Sequence, residues 1–253
     1  MCLGKFTLQS SVWLLRCVSV RKARGFMSTA IANQQLMRVA RFYESTIGKK
    51  AIMAVTGLIL FGFLIAHMLG NLQIFLGPAV MNHYAETLHG NPALLWTVRC
   101  VLLISVILHI WSSVQLSLIK KEARPIGYQV YKPLYSSWAS RTMMLSGPII
   151  AGFVVLHLLH LTTGTIHPNF VPLHAYENLV TGFAVVPFAL IYIAVMIFIG
   201  FHLSHGAWSM FQSVGFSHPR YTPLIKKVAA VVAWVLIAGF ISVPVGVLTG
   251  LVR

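Results

Sequence analysis

Five stretches of this 253-residue chain, at about 51–76, 94–119, 142–164, 180–211 and 228–251, are apolar over a length that crosses a bilayer. A spanning helix needs about 20 such residues. The expected fold is therefore all-α: an integral membrane bundle of five transmembrane helices joined by short loops. Composition agrees, with 57% hydrophobic and 9% charged residues against roughly 25% charge in soluble domains. No room is left for a separate soluble domain within residues 43–253, which are read as one transmembrane domain.

The first four stretches each carry a histidine in their apolar part: His67, His109, His157 and His202. An imidazole in hydrocarbon is costly and faces a bundle interior or a cavity, where it serves a function. Four on four consecutive spans read as two pairs, each suited to hold a haem iron between imidazoles from opposite sides. The competing reading is polar side chains that bond across helices.

Charge sets the topology. Of the 19 Lys and Arg, nine precede the first span, five lie at 120–141 and three between the fourth and fifth spans, while the first and third loops have none. Arg99 sits just inside the second span. Basic loops mark the cytoplasmic side, so the N-terminus is expected inside and the C-terminus outside, in a bacterial cytoplasmic membrane. In a mitochondrial inner membrane, inside would mean the matrix. The net charge of +15 lies between apolar segments and is not read as a nucleic-acid surface. Cys2, Cys17 and Cys100 form no CxxC or CxxCH, so neither a disulfide framework nor covalent haem attachment is indicated. Residues 1–42 are basic and acid-free. They read as a disordered tail, an extension before a later start at Met27 or Met37, or a transit-like segment.

Depth then sorts the histidines. His67 lies 17 residues after Lys50, roughly 26 Å along its helix, and His157 lies 16 after Arg141, roughly 24 Å. His109 lies 11 residues before Lys120, about 16 Å, and His202 lies 13 before Gly215, about 20 Å. His67 with His157 forms an outer pair, His109 with His202 an inner one. His160 and His205 follow three residues after His157 and His202. Each is an alternative ligand, or a contact for a haem propionate or a quinone. Zinc is disfavoured for these pairs, because the usual helical motif is i, i+4 with an acid nearby. Gly57, Gly62, Gly70, Gly147, Gly152, Gly200 and Gly206 would make room for porphyrins or for close helix packing. His83, His89, His167, His174 and His218 fall in loops and read as solvated surface.

Taken in order, ARFYESTIGKKAIMAVTGL, AHMLGNLQIFLGP, LHIWSSVQL, SSWASRTM, LHLLHLT, FHLSHGAWSMFQSVG and GFISVPVGVL resemble the five-helix, di-haem cytochrome b subunit of succinate:quinone oxidoreductases. The likeness runs from about Met37 to the C-terminus. It implies two b haems and a membrane anchor that docks a flavoprotein subunit with FAD and an iron–sulfur subunit. Electrons would enter by the inner haem and leave by the outer one to a quinone, often menaquinone, and a higher oligomer of the complex is allowed. The family pairs its first and third spans on one haem and its second and fourth on the other, which matches the depth sorting. It also places a basic residue near a haem propionate, here Arg141, which doubles as a topology charge. Quinone chemistry needs protons, and Glu86, one of four acids in the chain, is the candidate in the first outer loop. The other reading of Glu86 is a solvated loop charge.

Two alternatives remain at this level. The haems could belong to a hydrogenase or formate dehydrogenase cytochrome b, which differs in span number and histidine placement. A transporter with histidine proton relays would call for inward acids or broken helices, and the apolar stretches hold no Asp or Glu.

Overall fold

The computed structural model describes residues 34, 37–38, 41–124, 126 and 136–253. Most of the basic tail and the part of the second loop that holds Pro125 and Pro133 lie outside them. The chain divides into two units, residues 1–49 and 50–253. In the first, Ser45 Oγ accepts from the Gly48 N–H at 2.9 Å, a bond of the kind that caps a helix start. Lys49 is buried there, and its ammonium donates to the carbonyls of Tyr43 and Glu44 at 3.1 and 2.7 Å.

Helix α1 spans Thr46–Leu72 and tightens into a 3-10 turn, Gln73–Leu76. Gly77, at φ 97°, takes the left-handed turn into α2, Pro78–His89. Helix α3, Pro92–Glu122, starts where Asn91 accepts from the Leu94 N–H and Pro92 supplies a fixed φ. It ends on Lys120 and Lys121, which suit the negative end of the helix dipole. After one helical turn, Trp138–Arg141, helix α4 runs Met143–His157 and passes into a π turn, Leu158–Thr162. Helix α5 is Ala175–Ala184, α6 is Val186–Ser213 and α7 is Thr222–Leu248.

Among the described residues there is no strand, and five helical segments are long and apolar enough to cross a membrane: α1 with its 3-10 turn, α3, α4 with its π turn, α6 and α7. The all-α, multi-pass expectation holds, with two corrections. The two connections read as loops contain α2 and α5. The fourth span does not begin at residue 180, because Val185 is extended (φ −77°, ψ 96°) between α5 and α6. Pro187 lies in the first turn of α6, where a missing N–H costs nothing and a preceding helix cannot run straight through.

Helices α6 and α7 form the most extensive pair. Small residues let them close: Ala189 and Ala233 are fully buried, and a Cβ on Gly200 would lie 2.8 Å from the Trp234 ring. Helix α1 approaches α7 where Met68 fills the space over Gly239, and Phe75 does the same over Gly246. Packing replaces hydrophobic driving force between helices in lipid.

One end of the bundle is sealed by a core of Ile74, Met81, Leu179, Phe183, Tyr192 and Val243 with their neighbours. Polar bonds tie it together. Asn82 donates to Glu177 at 2.8 Å and accepts from the Tyr176 N–H at 2.9 Å, linking α2 to α5. Tyr176 donates from its hydroxyl to the Arg253 carbonyl at 3.0 Å. This capped end is the one expected to face outside.

Candidate functional site

On α3 the only buried side chains are Ser105 and Ser112. They lie four residues before and three after His109, so they mark the inward stripe on which His109 stands. The other three histidines likewise face neighbours rather than lipid, and cross-helix ring contacts bring the four together in twos. The His67 and His157 rings, on α1 and α4, have centroids 5.7 Å apart with planes at 83°. The His109 and His202 rings, on α3 and α6, have centroids 6.4 Å apart with planes at 54°.

Hydroxyl groups meet the Nδ1 atoms of three of these rings. Thr56 Oγ1 on α1 lies 3.2 Å from His109 Nδ1 and donates its own proton to the Ile52 carbonyl at 2.7 Å. A carbonyl only accepts, so the threonine oxygen faces the imidazole as an acceptor. That fixes the proton on Nδ1 and leaves Nε2 with its lone pair. Ser146 Oγ on α4 lies 3.2 Å from His202 Nδ1 and 3.3 Å from the Met143 carbonyl, so it can face the imidazole as an acceptor in the same way. Tyr192 Oη on α6 lies 3.3 Å from His157 Nδ1 and 3.1 Å from His160 Nδ1. A phenol has one proton, so it donates to at most one of these rings.

Sequence reasoning missed all three hydroxyls, although a spacing marks two of them. Thr56 precedes His67 by 11 residues and Ser146 precedes His157 by 11. Eleven residues are close to three turns, about 16 Å along one face. Each of α1 and α4 thus carries a histidine at one level and a hydroxyl for the other pair's level.

His160 and His205 take other surroundings. His160 is fully buried, stacked on Phe188 at 4.2 Å and 5.2 Å from the His167 ring, toward α5 and α6. Its Nε2 has no hydrogen-bond partner. His205 points its ring edge at Trp208, 5.5 Å away. Its Nδ1 is also buried without a partner.

His167 corrects the surface reading of the loop histidines. It is buried, its Nε2–H donates to the Asn178 carbonyl at 2.8 Å and its Nδ1 accepts from the Asn169 N–H at 3.1 Å. This pair of backbone groups orients the ring, and only the fold could bring Asn178 to it. His83, His89, His174 and His218 are exposed. Glu86 is exposed on α2, and Arg141 is exposed with its guanidinium 4.7 Å over the Trp138 ring.

The glycines divide. Gly70 packs against Tyr84 and Gly200 against Trp234, which is helix packing; a Cβ on Gly57 would sit 3.4 Å from His109. Gly62, Gly147, Gly152 and Gly206 would meet nothing within 4 Å. These last four are not in close helix packing.

Residues 120–241 match the family model of the succinate dehydrogenase/fumarate reductase transmembrane subunit. Over that stretch, just under half of its length, the chain is similar to this family. The match covers α4, α5, α6 and most of α7, and with them His157, His160, His202, His205 and Arg141. His67, His109 and Glu86 precede it. No curated protein and no solved structure matches the chain. The match and the five helical segments long and apolar enough to cross a membrane among the described residues support a multi-pass membrane protein similar to that subunit.

Proposed function

We propose that this subunit binds two b haems, one between His67 and His157 and one between His109 and His202, and carries electrons between an iron–sulfur subunit and a quinone. The observation that carries the reading is the pairing of the four histidines across helices, with hydroxyls at Nδ1. His67 with His157, and His109 with His202, would be the residues to hold each haem iron, their rings facing one another with centroids 5.7 and 6.4 Å apart. Metal-bound histidines generally donate their second N–H to a neighbour, and Thr56 and Ser146 are such neighbours for His109 and His202.

A haem held in this way supplies reversible one-electron chemistry at a potential set by its ligands and surroundings. The chain's own part is to present unprotonated Nε2 atoms, hold the rings in place and exclude water with apolar spans. The family implies a flavoprotein with FAD and an iron–sulfur protein as partners, docked at the basic, inner side where α3 ends on Lys120 and Lys121 and Arg141 starts the third span. Arg141 is proposed to meet a haem propionate, supported by its position at the start of the third span. Glu86 is proposed to exchange protons with quinone near the outer pair, supported by its place on α2 beside the capped end. Unchanged quinone reduction in Glu86→Gln would remove it from that role.

The test of the whole reading is a pyridine haemochrome assay on the purified complex. Two haems per subunit are expected. His67→Ala or His157→Ala should each leave one, as should His109→Ala or His202→Ala, whereas His160→Ala and His205→Ala should keep two. A colourless complex would overturn the haem assignment, and a single haem in the unsubstituted protein would overturn the pairing.

A further inference from the structure

Resting on the haem reading above, we propose that Tyr192 and His160 are positioning residues that tune the outer haem alone, through a directed chain of hydrogen bonds ending on His157. Tyr192 Oη lies within 3.3 Å of His157 Nδ1 and 3.1 Å of His160 Nδ1. Its single proton serves only one of them. His157 faces His67, with ring centroids 5.7 Å apart, so its Nε2 is the ligating atom and its Nδ1 carries the proton. That proton is donated to Tyr192, and Tyr192 must therefore donate onward to His160 Nδ1. The direction of the whole chain follows from one ligand bond.

The far end of the chain is fixed as well. With Nδ1 accepting, His160 holds its proton on Nε2, which is buried without a partner. Phe188, stacked at 4.2 Å, and Phe183, Tyr192 and His167, at 6.3, 5.6 and 5.2 Å, hold the ring. A Cβ on Gly182 would press within 3.1 Å of its Cε1 and Nε2. His160 sits in the π turn Leu158–Thr162, a departure from α geometry that recurs at functional sites. In this arrangement His160 is a fixed acceptor, held by the rings around it.

The inner pair is wired differently. Thr56 and Ser146 give their protons to backbone carbonyls of their own helices, so no second side chain tunes His109 or His202 by this route. An imidazole that donates from Nδ1 is a more basic ligand, and linked hydrogen bonds polarise one another. Substitution in the Tyr192–His160 chain should move one haem potential and leave the other.

Redox titration of the purified complex, followed by the separate low-spin electron paramagnetic resonance signals, tests this. Tyr192→Phe should shift the outer haem to a more positive potential, with the inner haem unchanged. His160→Leu should shift it the same way by less. His160→Asn, whose amide oxygen stands where Nδ1 stood, should return it toward the unsubstituted value. Loss of the outer haem alone from Tyr192→Phe reports the same interaction as affinity and supports the proposal. An unmoved outer potential, equal shifts in both haems, loss of both haems, or identical behaviour of the Leu and Asn variants would overturn it. Absence of haem from the unsubstituted complex is a different result and sinks the haem reading instead.

Discussion

An imidazole has two nitrogens, and in this bundle its neighbours decide which one is available. Thr56 and Ser146 do so cheaply, because each hydroxyl spends its proton on a carbonyl one turn back in its own helix. Such bonds are frequent for Ser and Thr in helices and leave an acceptor facing sideways. Removing that acceptor leaves an N–H without a partner and the ring free to turn. Thr56→Val and Ser146→Ala should each weaken binding of the inner haem by about 10–100-fold, the usual cost of losing such a neighbour. Haem titration of the apo subunit measures it. Equal weakening at the outer site would show a general packing defect instead.

At the scale of helices, α1 and α4 act as two-level elements. The 11-residue interval puts a hydroxyl and a histidine on one face about three turns apart, so each helix serves both pairs. Helices α3 and α6 supply the inner histidines, and α6 adds Tyr192 to the outer level. Because α6 carries both His202 and Tyr192, its placement against α7 matters to both levels. Gly200 sets that placement, with Trp234 ring atoms 2.8 to 3.2 Å from where a Cβ would stand. Gly200→Val should force the pair apart and destabilise the subunit by about 1–3 kcal/mol. The check is unfolding in detergent, followed by circular dichroism. Shortening the opposing ring with Trp234→Leu should recover part of the loss, and a full-size loss in the double variant would assign it elsewhere.

For the whole molecule, charge distribution and capping agree on an orientation. The basic segments fall at the N-terminal end of α1, the end of α3, and the starts of α4 and α7. The opposite end carries α2, α5 and the Asn82 cross-link. Positive-inside topology predicts that the capped end faces outside. In a chain whose native cysteines are replaced by serine, Thr87→Cys should react with an impermeant maleimide added outside intact cells. Ser217→Cys should react only after lysis. The reverse pattern would invert the subunit and move the partner-docking side with it.

Much of this was already in the amino-acid sequence, for reasons that are local. Span number follows from apolar length, and loop charge sets an orientation. The division of the histidines into two levels is residue counting along helices of known rise. His167 and the helical connections α2 and α5 were missed because their partners, Asn178 and Asn82 with Glu177, are brought to them only by folding. The break at Val185 shows the same limit: an apolar run hides a bend that Pro187 permits and packing selects.

The sequence alone determined which residues lie at which depth, since depth is additive along a helix. Only the tertiary structure decided which nitrogen of each ring has a neighbour, and that His160 faces Tyr192, Phe188 and His167 while His157 faces His67. Rotation about helix axes and the choice of helix neighbours fix those contacts. Both are set by packing across the bundle, which no count along one chain contains.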